Sequence, residues 1–465
     1  MRASALALAL AFAALASACG PPRLDEVELD HEMDASESAE TGDAALLRPS
    51  WHQDVAPIIH TRCVGCHQEG GIAPFALDDY DTASTWAAQI SSALSDQSMP
   101  PWGAHDTPEC QPKHQWVDDL RLSEAELATV LDWEEIGAPE GDPNDAAPLP
   151  STGVPGLADP DGVFPIPSPI TVQGPFDVYS CISVDPGFEQ EVWITGAQVL
   201  VDNAEIVHHV IYMLDETGAS AELAGPDGSY PCEALHEQVS WLGSYFPGAG
   251  PTLMPQGAGV PVPPGARLVL SFHYHPTGLG QDVDQSSLAL RWTTEPPDYD
   301  AIITAVGNAA TAAQGLHWGP DDPDGIPTFW IPAGARGHTE TMSAVFPELL
   351  PESLLFMLTP HMHYVGTDFR VTLERDGETS CLIQDPSWDF DWQLVYNVDG
   401  QHGGFPTVRA GDRIELRCTY DNSLDNPALV EALASFGLDE PIDLYLGDSG
   451  LNEMCMLIYG VAIPR

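Results

Sequence analysis

Between Pro139 and Gly162 the sequence reads PEGDPNDAAPLPSTGVPGLADPDG, a stretch through which neither a helix nor a strand can propagate. Proline removes a backbone donor and fixes φ, and the Gly and Asp residues around it favour turns. The chain of 465 residues is thereby divided early, and its two sides differ in texture. On the amino-terminal side, DVAPIIHTRC and LSEAELATVLDWEEIGAP read as helices. In the second of these, Ser123 and Glu126 form a capping-box pair, Leu127, Val130 and Leu131 share one face, and Gly137 and Pro139 act as stop signals. Beyond the break, short alternating apolar runs are separated by turns, as expected of a chain with 41 glycines and 43 prolines. A second turn-rich break, TTEPPDYD at Thr293–Asp300, divides this region into two parts of similar length. The expected architecture is a small all-α domain over 51–139, a linker over 140–164, and two all-β antiparallel sandwich domains over 165–297 and 298–465.

Charge narrows the partners. Fifteen basic residues stand against 70 acidic ones, a formal net charge of −55, so nucleic acids and anionic lipid surfaces would be repelled. The start, MRASALALALAFAALASACG, has Arg2 ahead of an apolar run too short for a stable membrane span, which reads as an export signal over 1–19. Its end, Leu15-Ala-Ser-Ala-Cys19, resembles the lipobox of bacterial lipoproteins. That resemblance implies a lipid on Cys19 and a bacterial lipoprotein anchored at the periplasmic or cell surface, with the outer membrane expected; simple cleavage near Ala-Ser-Ala is the alternative. Residues 20–50 are acidic and Ser/Ala-rich, as a flexible tether would be. Export places the cysteines in an oxidising compartment. Besides Cys19, Cys63 and Cys66, six remain at 110, 181, 232, 381, 418 and 455, enough for three bridges whose connectivity the spacing does not give.

RCVGCHQEGGIAPF contains Cys63, Cys66 and His67 as C-x-x-C-H, the spacing at which two thioethers fix a haem and the adjacent histidine ligates its iron. A zinc half-site or a redox dithiol would have the same pair, but no second C-x-x-C and no βαβ pattern lies nearby. Downstream, SDQSMPPWGAH places Met99 in a loop kept out of helix by Pro100 and Pro101. Residues 51–139 therefore resemble a small all-α cytochrome c, with Met99, His105 or His114 as the sixth iron ligand.

In FMLTPHMHYVGTDFRVTL, His361 and His363 are two residues apart in an alternating apolar run, so both imidazoles would project from one face of a strand. AEIVHHVIYML contributes His208 and His209, RLVLSFHYHPTG contributes His273 and His275, and GDSGLNEMCMLIYG contributes Met454. Taken singly, each is commonly structural. Taken in order, HH, HxH, HxH and a Met beside a Cys resemble the copper type II monooxygenases, the family of the peptidylglycine α-hydroxylating and dopamine β-monooxygenases. The resemblance covers about Pro165 to the carboxyl terminus. It implies one copper on His208, His209 and His273 that stores and passes an electron, and a second, catalytic copper on His361, His363 and Met454. Imidazole suits both copper oxidation states, and a thioether favours Cu(I). Neighbouring strand residues point to opposite faces, so His208 and His209 share a metal only if the strand twists or ends there. The resemblance also implies bridges Cys181–Cys232 and Cys418–Cys455, while Cys110 and Cys381 are left free or paired with each other. His275, His317, His338 and His402 match no motif and read as structural or surface histidines.

Together these residues imply an exported copper monooxygenase that inserts one oxygen atom from O2 into a C–H bond, with two coppers and one covalent c-type haem. Its electrons would come from ascorbate or a redox protein by way of the haem. The alternatives are a non-catalytic haem and copper electron-transfer or copper-handling lipoprotein, and a cytochrome fused to a binding sandwich. Peptide-hydroxylating relatives hold a substrate carboxylate with an arginine and polar side chains at positions that are here Thr359, Met456 and Ile458. A buried carboxylate with no such partner is costly, so a small neutral substrate is expected.

Overall fold

Strands dominate the fold. The computed structural model of the protein describes residues 48–465, apart from 70, 72, 118, 151–155, 175–176, 233–238, 309–314, 320–321, 323–324 and 448–449; the expected signal, Cys19 and most of the tether lie outside the described residues. Among the described residues, Arg48–Arg465 form one compact unit.

Two groups of strands position the chemistry. In the first, Arg267–Tyr274 lies between Val178–Val184 and Val207–Asp215, antiparallel to both, and Val207–Asp215 pairs in turn with Ser240–Tyr245. In the second, Cys455–Pro464 lies between Tyr299–Asn308 and Ser353–His361, again antiparallel. Tyr299–Asn308 joins the groups: Ile303 pairs with Trp241, and Tyr299 and Asp300 run parallel to Ala258 and Gly259. One hydrogen-bonded sheet thus holds strands from both sides of residue 298. A separate four-stranded sheet of Arg336–Val345, Arg413–Asp421, Gly366–Arg375 and Glu378–Asp385 covers the second group. Each face buries its alternate apolar residues, with Ile194, Leu214 and Phe272 in one core and Phe369, Leu416, Tyr420 and Leu457 in the other.

The expected fold class, a small all-α cytochrome c-like domain ahead of two sandwiches, is corrected here. The longest helix of the amino-terminal segment is Glu124–Glu135, with 12 residues; the others there, Ala56–Arg62, Tyr80–Thr85 and Ala87–Ser95, are shorter. These helices do share a small core around Trp51, Val55, Ile59 and Trp133, and Ser123 caps the last one reciprocally with Glu126. The stretch between them is not helical, because Pro100, Pro101, Pro108 and Pro112 break the helical ladder. It runs extended across the carboxyl-terminal strands instead. His105 donates its backbone N–H to Gln384 O (3.1 Å), Val117 to Asn397 O (2.8 Å), and Cys110 is bridged to Cys381. Trp102 and Ala104 are buried in the same core as Tyr396.

Gly103 sits so tightly on Asp385 that a Cβ there would overlap the carboxylate. Asp385 is 3% exposed and accepts from Ser387 N (3.2 Å), and burial pushes its carboxyl up to about 7 from a usual 3.8. Since the folded value lies above that of the unfolded chain, the folded protein holds this proton more tightly. That stabilisation is complete below about pH 4 and is lost as the pH rises through about 7. It is worth at most about 4 kcal/mol. Asp385→Asn is expected to flatten the fall in melting temperature between pH 4 and 8; thermal melts across that window that track the parent would contradict the assignment.

Candidate metal centres

A bulge at the start of the Val207–Asp215 strand solves the problem of adjacent histidines. His273 pairs with His209, but the next residue, Tyr274, pairs with Val207, so His208 is the extra residue of the strand. A bulge re-aims a side chain that regular pleating would send to the other face. One coordinating atom from each of His208, His209 and His273 lies within 4.8 Å of the other two. His209 Nδ1 is 3.1 Å from His208 Nδ1 and 3.3 Å from His273 Nδ1, so all three rings turn Nδ1 inward. Burial together with the neighbouring rings lowers His208 to about 4 and His209 well below its ordinary value, which keeps both imidazoles neutral and able to donate lone pairs.

His361 and His363 end the Ser353–His361 strand and enter the turn after it. His361 Nδ1 is bonded to Gln393 Oε1 (2.7 Å), which leaves its Nε2 for a ligand, and His363 Nδ1 is bonded to Asn452 O (3.0 Å). The rings stand 5.3 Å apart and nearly perpendicular. Burial, with the nearby His363, lowers His361 to about 3. His361 pairs with Met456 on the carboxyl-terminal strand; His363 follows the one strand and Met454 precedes the other. Glu453 ties these segments together. Its Oε2 accepts from His363 N (2.8 Å) and Met454 N (3.1 Å), and its Oε1 from Val365 N (3.0 Å). Three amide donors favour the ionised carboxylate, yet burial outweighs them and raises Glu453 to about 8. The Cys418–Cys455 bridge and the bond from Tyr420 OH to Met454 O (2.8 Å) hold the Met454 backbone from the other side. Imidazole and thioether are donor types that suit copper.

The two sets lie within electrostatic reach of each other: His361 acts on His209, and Asp177, beside His273, acts on Tyr364. Burial, with Asp177, Asp391 and Glu431, raises Tyr364, and burial, with Asp389 and Glu431, raises Asp391.

Cys63 and Cys66 are half-buried and free of disulfides, and burial raises their thiols to about 12 and about 11. His67 bonds Phe75 O through Nδ1 (3.1 Å), leaving Nε2 as a ligand atom, and its ring packs on Phe75 (4.8 Å), which stacks on Trp86 (4.3 Å). Two unbridged thiols and an oriented imidazole fit covalent haem attachment. Met99 follows the Ala87–Ser95 helix, half-buried, with its N–H on Ala93 O (3.3 Å). His105 and His114 lie on the extended segment committed to the carboxyl-terminal strands. Among the described residues, none of the three is bonded to His67.

All three disulfides form: Cys181–Cys232, Cys418–Cys455 and Cys110–Cys381. The unassigned histidines are hydrogen-bonded, His317 to Ser343, His338 to Glu340 and His402 to Asp399. Sequence reading missed Asp177, Gln393 and Glu453. Glu453, next to Met454 at the head of an apolar strand, left a signal in its position; the other two left none.

No family model matches this chain, and no curated protein does. Among solved structures it is similar to the major capsid protein P2 of bacteriophage PM2, over 65% of this chain and 98% of that one, at 10% identity and a TM-score of 0.25. It is also similar to allantoicase, over 52% and 77%, at 12% identity and a TM-score of 0.16.

Proposed function

We propose that the protein is a copper-dependent monooxygenase that hydroxylates a C–H bond of a small neutral organic molecule: RH + O2 + 2 e− + 2 H+ → ROH + H2O. The observation that carries this reading is the cluster of His208, His209 and His273, whose three Nδ1 atoms converge, with a second histidine pair, His361 and His363, at the end of another strand of the same sheet. Copper, when bound, supplies the one-electron steps and the activation of dioxygen. His208, His209 and His273 hold the metal that takes up electrons. His361, His363 and Met454 hold the one at which oxygen reacts, and Glu453 keeps their backbones in register. Thr359 faces Ile458 across the strands, so neither position offers a cation to a substrate carboxylate. Glycine-extended peptides are therefore not substrates.

A c-type haem on Cys63, Cys66 and His67 is the electron entry. Support comes from the packing of this motif on the turn after the Ser240–Tyr245 strand: a Cβ on Gly248 would stand 3.0 Å from Cys66 Sγ, and the neighbouring Phe246 ring lies 5.6 Å from that of His209. A one-electron carrier so placed has a high effective concentration at its acceptor. Export as a lipoprotein through Cys19 belongs to the same reading, and three disulfides support an oxidising compartment.

Metal analysis and oxygen uptake test the proposal. Two coppers and one iron per chain are expected, with oxygen consumption once a reductant and substrate are supplied. Metal binding with redox cycling but no oxygen consumption would favour an electron carrier or copper-handling protein. Cys63→Ser with Cys66→Ser should leave no pigment bound after extraction in acidic organic solvent, whereas the parent keeps its colour; release of the parent's haem by that solvent would contradict covalent attachment.

A further inference from the structure

We infer that Asp177 is a positioning residue for the three-histidine copper, with His275 as its brace. The inference rests on the proposed reading that His208, His209 and His273 bind copper. Asp177 Oδ2 is 2.9 Å from His273 Nε2, and Asp177 Oδ1 is 2.8 Å from His275 Nδ1, so one carboxylate spans the outer edges of both histidines of the HxH pair. His273 is buried, at 6% exposure, while its Nδ1 faces His209.

An ionised carboxylate only accepts hydrogen bonds, so His273 must carry its proton on Nε2 to satisfy it. That fixes the tautomer: Nδ1 is left with a lone pair, on the side where Nδ1 of His209 also points. Without Asp177, no carboxylate at Nε2 disfavours the Nδ1–H tautomer, and a proton on Nδ1 would block the metal. A carboxylate behind a metal-bound imidazole also raises its basicity and holds the ring plane. Tyr179 restricts the same ring from its flat side, stacked at 4.3 Å and 12°. His275 is exposed and lies outside the three-histidine cluster, which explains why an HxH motif contributes one ligand and not two: its second histidine holds the carboxylate that orients the first.

The test is a copper(I) competition titration with a chromophoric chelator on the full chain, resolving the two sites, with the site of His361, His363 and Met454 as internal control. Asp177→Ala should weaken the three-histidine site by about 10- to 100-fold and leave the control site within about twofold. Asp177→Asn, which can still accept from Nε2–H but lacks the charge, should lose less, and His275→Ala less again. X-ray absorption and electron paramagnetic resonance of the copper(II) forms should report altered coordination only at the three-histidine site. Asp177→Ala with unchanged affinity there, in a parent that binds copper at both sites, would overturn the inference alone. Equal weakening of both sites in Asp177→Ala and Asp177→Asn would assign Asp177 a general structural role and also overturn it. A parent with no copper at His208, His209 and His273 would overturn the functional reading itself, and this inference with it.

Discussion

Met454→Ala is expected to abolish oxygen-dependent hydroxylation while the copper on His208, His209 and His273 stays bound. Met454 is 8% exposed, so its thioether is not replaced by solvent without a gap, and the two remaining imidazoles do not favour Cu(I) as a sulfur donor does. A catalytic metal contributes several kcal/mol of transition-state stabilisation, and each 1.36 kcal/mol is tenfold in rate, so the loss should reach about a thousandfold or more. Turnover measured beside site-resolved copper content checks this. Full turnover by the variant would remove Met454 from the active site.

The second large effect is expected at Glu453. This side chain is 1% exposed and accepts hydrogen bonds from the backbone of His363, Val365 and Met454, so it joins two segments about ninety residues apart in the chain. Glu453→Ala leaves three buried N–H groups without an acceptor, each costing about 1–3 kcal/mol, and should lower unfolding stability by about 3 kcal/mol or more. It should also free the backbones of His363 and Met454 from their shared acceptor and so empty that copper site before the other. Glu453→Gln retains one carbonyl acceptor and should fall between alanine and the parent. Denaturant unfolding with copper titration of both variants distinguishes the outcomes: stability within about 0.5 kcal/mol of the parent in Glu453→Ala would show that these amides have other acceptors.

How far the residues announce this arrangement depends on the range over which each interaction acts. Period-2 alternation around His361 and His363 is local, but the strand ends at His361, and His363 is held instead by its bonds to Glu453 and Asn452. The bulge that rescues His208 is not local, because it arises from pairing with His273, and adjacency alone argued against a shared metal. The amino-terminal segment misled for the same reason. Its helices carry their own signals, including the Ser123 cap, but Trp102 through Trp116 are placed by strands nearly three hundred residues away, and the Cys110–Cys381 bridge spans 271 positions. Gln393 and Asp177 were invisible because a hydrogen bond to a ring nitrogen has no sequence period. Glu453 was visible only as a charge out of place beside Met454.

Incubation of copper-loaded, reduced protein with a metabolite extract under 18O2 tests the central claim most directly. The expected result is a neutral product 16 mass units heavier than a consumed metabolite in ordinary oxygen and 18 heavier in 18O2, formed in proportion to oxygen consumed and absent in Met454→Ala. Oxygen uptake and copper reoxidation with no labelled product from any metabolite would contradict it.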